Sequence, residues 1–147
     1  MGLDANLKRL LGKANRLEME VGRTASESPL PGYIAARSGF VDAERQRKAL
    51  EAFDELVAAF PNDEYCRYLR AGFLMSSAKY SEAEAAYLEI ANGEGPYKLP
   101  ANLMLVIVYW HFHGQAHAQQ ALDRHNELAR QMGQPIHHVH AQDMFAV

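Results

Sequence analysis

The sequence predicts an all-α fold of antiparallel helix pairs, and three observations carry that prediction. Apolar residues recur at steps of three and four along most of the chain, the spacing of one helix face. Between those stretches stand short clusters of Gly, Pro, Asn and Asp, which suit tight turns between antiparallel helices. No segment alternates apolar and polar residues. The apolar run Leu103–Trp110 could be read as a buried strand, but a lone strand among helices has nothing to pair with. The 147 residues are 48% hydrophobic and 22% charged. That is one ordinary globular domain, able to bury roughly two thirds of its surface. The composition excludes a disordered chain, a collagen-like chain and a disulfide scaffold.

Each element follows from its residues. Leu3, Leu7, Leu10, Leu11, Ala14, Leu17 and Val21 form one helical face, and Gly22 is placed to stop that helix. Residues 22–39 hold Pro29, Pro31 and Gly32 and read as a loop, with room for a helical turn at Tyr33–Arg37. Asp42 is a candidate N-cap for a helix to Phe60 carrying Ala49, Phe53, Leu56 and Val57. Pro61-Asn62-Asp63 ends it, and Asp63 can cap the next helix, over 64–77. Ser81 and Glu84 have the spacing of a capping box, opening a helix with Ala83, Tyr87 and Ile90. Pro100 can occupy the first position of a helix over about 100–112. Gly114 breaks the chain again, and a last helix runs over 116–132, stopped by Gly133 and Pro135.

The later helices repeat. Ala49-Leu50-x-x-Phe53-x-x-Leu56 matches Ala83-Glu84-x-x-Tyr87-x-x-Ile90 at an offset of 34, and Ala118-x3-Leu122-x2-His125 follows 35 residues on. Upstream, Tyr68-x-x-Ala71-Gly72-x-x-Met75 and Asn102-x-x-Leu105-Val106-x-x-Tyr109 occupy the preceding helices. Small residues where two helices cross closely, with a large residue four positions later, form a packing pattern in their own right. Over residues 40–132 the pattern resembles the tetratricopeptide repeat family. Tyr68 and Gly72 sit one residue late in its frame, the first unit lacks a first helix, and the third carries His125 where a small residue is usual. The resemblance implies a short α-solenoid of stacked helix pairs whose first helices line a concave groove. In that frame the groove face comprises Arg70, Phe73 and Ser77 in the middle unit, and Leu103, Met104, Ile107, Trp110 and His111 in the next. Residues 1–147 then form one domain: a capping helix at 1–21, a loop at 22–39, the repeats at 40–132 and a tail at 133–147.

Charge and motif content narrow the function. Residues 1–48 carry a net +3 and residues 49–147 a net −6. An acidic body argues against nucleic acid, whose phosphates need a dense basic face. The apolar run of 103–110 is far short of the roughly 20 residues that span a bilayer. Residues 1–20 have charges among their leucines and no signal-peptide core. Cys66, the single cysteine, fits a reducing compartment, so a cytoplasmic location is expected. It reads as a small buried or half-buried thiol. No serine lies in G-x-S-x-G, there is no phosphate-binding glycine loop, and Gly93-Glu94-Gly95 follows a helix rather than a strand. The expectation is a non-enzymatic chain with no cofactor.

Histidine is the compositional oddity, since all seven lie between His111 and His140. His113 and His117 have i, i+4 spacing, and His137, His138 and His140 form a short tract, so these five are the candidate metal ligands. The sequence shows no carboxylate ligand beside them. The expected function is therefore a protein-interaction module, an adaptor or chaperone-like protein holding a partner's peptide or helix in the groove. The alternatives are a metal- or pH-responsive module using the histidines, or a self-associating subunit. Self-association would use the Leu3–Val21 stripe or the apolar tail residues Ile136, Val139, Met144, Phe145 and Val147.

Overall fold

The computed structural model describes residues 2–26, 43–138 and 140–144. Among them are seven α-helices and no strand. They are α1 (Gly2–Ser26), α2 (Ala43–Ala59), α3 (Glu64–Ser76), α4 (Tyr80–Ala91), α5 (Lys98–Phe112), α6 (Gln115–Gln131) and the single turn α7 (Ala141–Met144). The chain divides into two compact units, Met1–Ala78 and Lys79–Val147. The division falls inside the middle repeat read from the sequence.

In the first unit α1 packs on α2 and α2 on α3. The core gathers Leu10 and Ala14 from α1, Ala49, Ala52, Phe53 and Leu56 from α2, and Cys66 and Phe73 from α3. Leu7, Leu11 and Leu17 line its edge, so the heptad-like stripe of α1 faces inward along its middle. At the rim, Lys13 reaches Glu55 at 2.9 Å and Arg70 reaches Asp54 at 2.6 Å, tying α1 and α3 to the outer face of α2. Asp63 caps α3 as its position predicts, its carboxylate accepting from the Tyr65 N–H at 3.0 Å. α1 does not stop at Gly22 but runs to Ser26. One glycine inside a helix costs only about 1 kcal/mol, too little to end a long one. The expected loop core, its turn at Tyr33–Arg37 and the Asp42 cap lie outside the described residues.

In the second unit α4 packs on α5, α5 on α6, and α6 on α7. α4 buries Ala83, Tyr87, Ile90 and Ala91; α5 buries Ala101, Asn102, Leu105, Val106 and Val108. Small Ala83 and Ala101 and bulky Tyr87 and Leu105 are all at or near zero exposure, consistent with a close crossing filled by the larger side chains. The Asn102 amide donates to the Lys98 carbonyl at 2.8 Å and reaches the Ala91 carbonyl at 3.4 Å, joining the start of α5 to the end of α4.

Helix boundaries correct three expectations. α4 begins at Tyr80 behind Lys79, with no side-chain cap. Ser81 is thus already inside the helix, the capping box does not form, and Glu84 is released for other use. Ala78 just before adopts φ 60°, a left-handed conformation that costs a non-glycine residue about 1–2 kcal/mol. α5 starts two residues before Pro100, which still lies in the first turn, where its missing N–H goes unneeded. The segment after α6 is not a bare tail. Gly133 at φ 71° sends the chain back, with its N–H on the Arg130 carbonyl and the Gln134 N–H on the Ala129 carbonyl. Residues beyond it return along α6 and form α7.

Candidate functional site

The expected groove residues fall on both units. Phe73 is 2% exposed and stacks on Phe53 with ring centroids 5.2 Å apart, so its ring belongs to the first unit's core. Arg70 is half-buried and committed to Asp54. Ser77 is the C-cap of α3, its N–H returning to the Phe73 carbonyl at 3.0 Å. In the second unit, Leu103 and Trp110 pack against Val106, Ala118, Ala121, Leu122 and Ala141. Met104 and Ile107 are half-buried. His111 is exposed, and its ring stacks on Tyr80 at 5.4 Å. On α5 the positions 103, 104, 107, 110 and 111 form one stripe. The opposite arc of the helix, around Ala101, Leu105 and Val108, is buried.

The histidines divide by position. His113 is the C-cap of α5, and Gly114 at φ 100° turns the chain before α6. That φ is open to glycine alone at low cost. The turn still brings the His113 and His117 rings to 5.1 Å between centroids. Glu84 of α4 completes the group: its Oε2 lies 3.0 Å from His113 Nε2. Tyr109 stands beside the same carboxylate. Burial, then the charge of Glu84, pushes its phenol above the ordinary tyrosine range, opposed by Arg124. Glu84, Tyr109, His113, His117, Gln120, Ala121 and Arg124 line a cleft of about 350 Å³. It holds one carboxylate, two imidazoles, a phenol and a guanidinium, a set suited to exchanging protons and pairing charges. The carboxylate was not legible beside the histidines because it arrives from 29 residues away.

No protein-family model, no curated protein and no solved structure matches the chain. Its function must come from its own geometry. Among the described residues no three His, Cys, Asp or Glu side chains are grouped so as to hold a metal ion. The tract of His137, His138 and His140 is spread out by the docked segment. The His137 ring lies tilted against His125 with centroids 5.3 Å apart, His138 is exposed, and His140 lines a shallow cleft with Gln115, Ala116, Gln119 and Gln142.

How that segment is held was not legible in the sequence. Asn126 of α6 donates from Nδ2 to the His137 carbonyl and accepts at Oδ1 from the His137 N–H, both at 2.9 Å. Gln119 Oε1 accepts from the Ala141 N–H at 2.7 Å, and Gln115 donates to the Gln142 side chain. Ala141 is fully buried among Val106, Ala118, Ala121 and Leu122, with Met144 packed at the edge. Of the tail residues proposed for self-association, Met144 is thus engaged within its own chain and Ile136 is half-buried. Val139, Phe145 and Val147 lie outside the described residues.

Proposed function

We propose that this chain is a non-enzymatic protein-interaction module of the adaptor or chaperone-like kind, holding a peptide or helix of a partner protein. One observation carries the reading: α5 is apolar around nearly its whole circumference, yet keeps Met104 and Ile107 half-open in a stripe with Leu103, Trp110 and His111. A helix apolar on all sides is ordinarily covered on all sides, and a mixed aromatic, Met and aliphatic stripe suits an amphipathic partner segment. The stacked tetratricopeptide-like arrangement is part of this proposal. It is supported by α3 and α5 starting 34 residues apart, at Glu64 and Lys98, and α4 and α6 starting 35 apart, at Tyr80 and Gln115. A cytoplasmic setting accompanies it; no helix among the described residues is long and apolar enough to cross a membrane.

The test is selection of displayed helical peptides on the full chain, with Met104→Asp and Ile107→Asp forms of unchanged helicity alongside. Selected peptides should bind the variants at least tenfold more weakly. Peptides that bind all three forms alike, or a library that yields none, would refute the reading. A second reading, that of a pH-responsive module, rests on the His113–Glu84 contact that joins the end of α5 to α4. Under it, the stability difference between the wild type and Glu84→Gln changes between pH 5 and pH 8. A difference flat across that range removes it.

A further inference from the structure

We infer that the face of α6 beneath residues 134–144 is a docking surface for an extended peptide. The chain's own C-terminal segment fills it here, and a partner segment of like make displaces that segment. This rests on the reading of the chain as a peptide-holding module and gives it a place and a regulation.

The argument begins with what α6 recognises. Asn126 holds position 137 by its N–H and its carbonyl together, and Gln119 holds position 141 by its N–H. Neither contact uses a side chain of the segment. A side-chain amide pairing with a main-chain N–H and C=O reads backbone, and every extended peptide offers that. Side chains of the segment add selectivity, beginning with the His137 ring, whose centroid lies 5.3 Å from that of His125. Ala141 is at zero exposure between Val106, Ala118, Ala121 and Leu122, and in a close-packed site a longer side chain has no room. Three residues on, Met144 is half-buried and packs against the same cluster. A competing segment therefore has a main-chain N–H at the clamp, a small residue four positions later, and a flexible apolar residue three beyond that.

The segment is also built to leave. Gln134, Pro135, His137, His138, His140, Gln142 and Asp143 are exposed, and among the described residues of the segment Ala141 alone is fully buried. Most of its attachment is through polar contacts at the surface, where water competes. While attached, it acts at the high effective concentration of a tethered ligand and lowers the apparent affinity for any rival. Binding and unlatching are thereby coupled.

The probe is a fluorescent peptide of this chain's own residues 134–144, added to the full-length protein and read by anisotropy. In the full chain, Ala141→Arg forces a cation out of the apolar pocket and frees the site. The peptide should bind that variant at least tenfold more tightly than the wild type, and adding Asn126→Ala should undo the gain. A peptide carrying His137→Pro, which lacks the clamped N–H, should bind at least fivefold more weakly. Equal affinity for wild type and Ala141→Arg, or indifference to Asn126→Ala, overturns the inference. A second measurement does not depend on the arginine variant folding. Amide hydrogen exchange at His137 and Ala141 should quicken at least tenfold in Asn126→Ala, and unchanged protection also overturns the inference. Because the probe is the chain's own segment, these outcomes stand apart from those of the library selection with the α5 variants. Either proposal can fail while the other survives.

Discussion

Replacing Phe73 by alanine separates a ring that faces a core from one that faces a partner. The ring is 2% exposed and stacks on Phe53 at 5.2 Å with 26° between planes. Truncating a buried phenylalanine costs about 3–5 kcal/mol through lost burial and the cavity left behind. An aromatic pair contributes about 0.5–1.5 kcal/mol beyond its buried area, which places this site in the middle or upper part of that range. With a urea slope of about 2 kcal/mol per molar, a loss of about 4 kcal/mol lowers the unfolding midpoint by about 2 M. Phe73→Leu keeps most of the volume and should cost under about 1.5 kcal/mol, a shift below about 1 M. Far-UV circular dichroism during urea titration measures both. A midpoint for Phe73→Ala within about 0.3 M of wild type would refute the reasoning and return the ring to the groove.

Three further outcomes follow from single contacts. Asn102→Asp sets carboxylate oxygens against the Lys98 and Ala91 carbonyls in a site 4% exposed. It should cost about 3 kcal/mol and lower Tm by about 10 °C, and the deficit should shrink in acid as the carboxyl takes up a proton. Burial, with the nearby His137 adding to it and the Asn126 contact opposing it, holds His125 below the ordinary imidazole range. The unfolded chain then binds a proton near pH 6.5 and the folded chain does not. Stability is full above about pH 6.5 and falls as pH drops toward the lowered folded value. Urea midpoints from pH 7.5 to 5.5 should show that slope, and His125→Gln should flatten it. Burial, and then the charge of Asp63, pushes the Cys66 thiol up to about 11. At pH 8 its thiolate is on the order of 100-fold scarcer than that of an ordinary cysteine. A colorimetric thiol reagent should therefore react at least that much faster with the urea-unfolded chain.

What the sequence made legible was what local periodicity and turn chemistry decide. The helices around Phe53, Tyr87 and Leu122, the Asp63 cap, the break at Gly114 and the stop at Gly133 each depend on residues a few positions apart. So does the burial of Cys66 and of Ala49, Ala71, Ala83 and Ala118. The misses came where a side chain had two possible partners. Glu84 had the spacing of a capping box, but the start of α4 at Tyr80 left that box empty and the carboxylate turned to His113. Phe73 and Ile107 look alike in a helical frame, and the frame alone does not say which one a neighbouring helix covers. Asn126 and Gln119 carry no sign of a main-chain clamp, because the groups they hold are common to every residue.

The most extensive helix contacts within each unit join neighbours in chain order: α1 with α2, α2 with α3, α4 with α5, α5 with α6, and α6 with α7. Such a map has little long-range closure to wait for, and chains of this kind fold in microseconds to milliseconds. The pairs should not form at one rate. α5 and α6 are separated by His113 and Gly114 alone, whereas α1 and α2 are separated by residues 27–42. Trp110, the one tryptophan, sits on α5 and packs into the core shared with α6. Its fluorescence in a rapid-mixing experiment should therefore settle early, while the last of the helical signal develops as α1 finds α2.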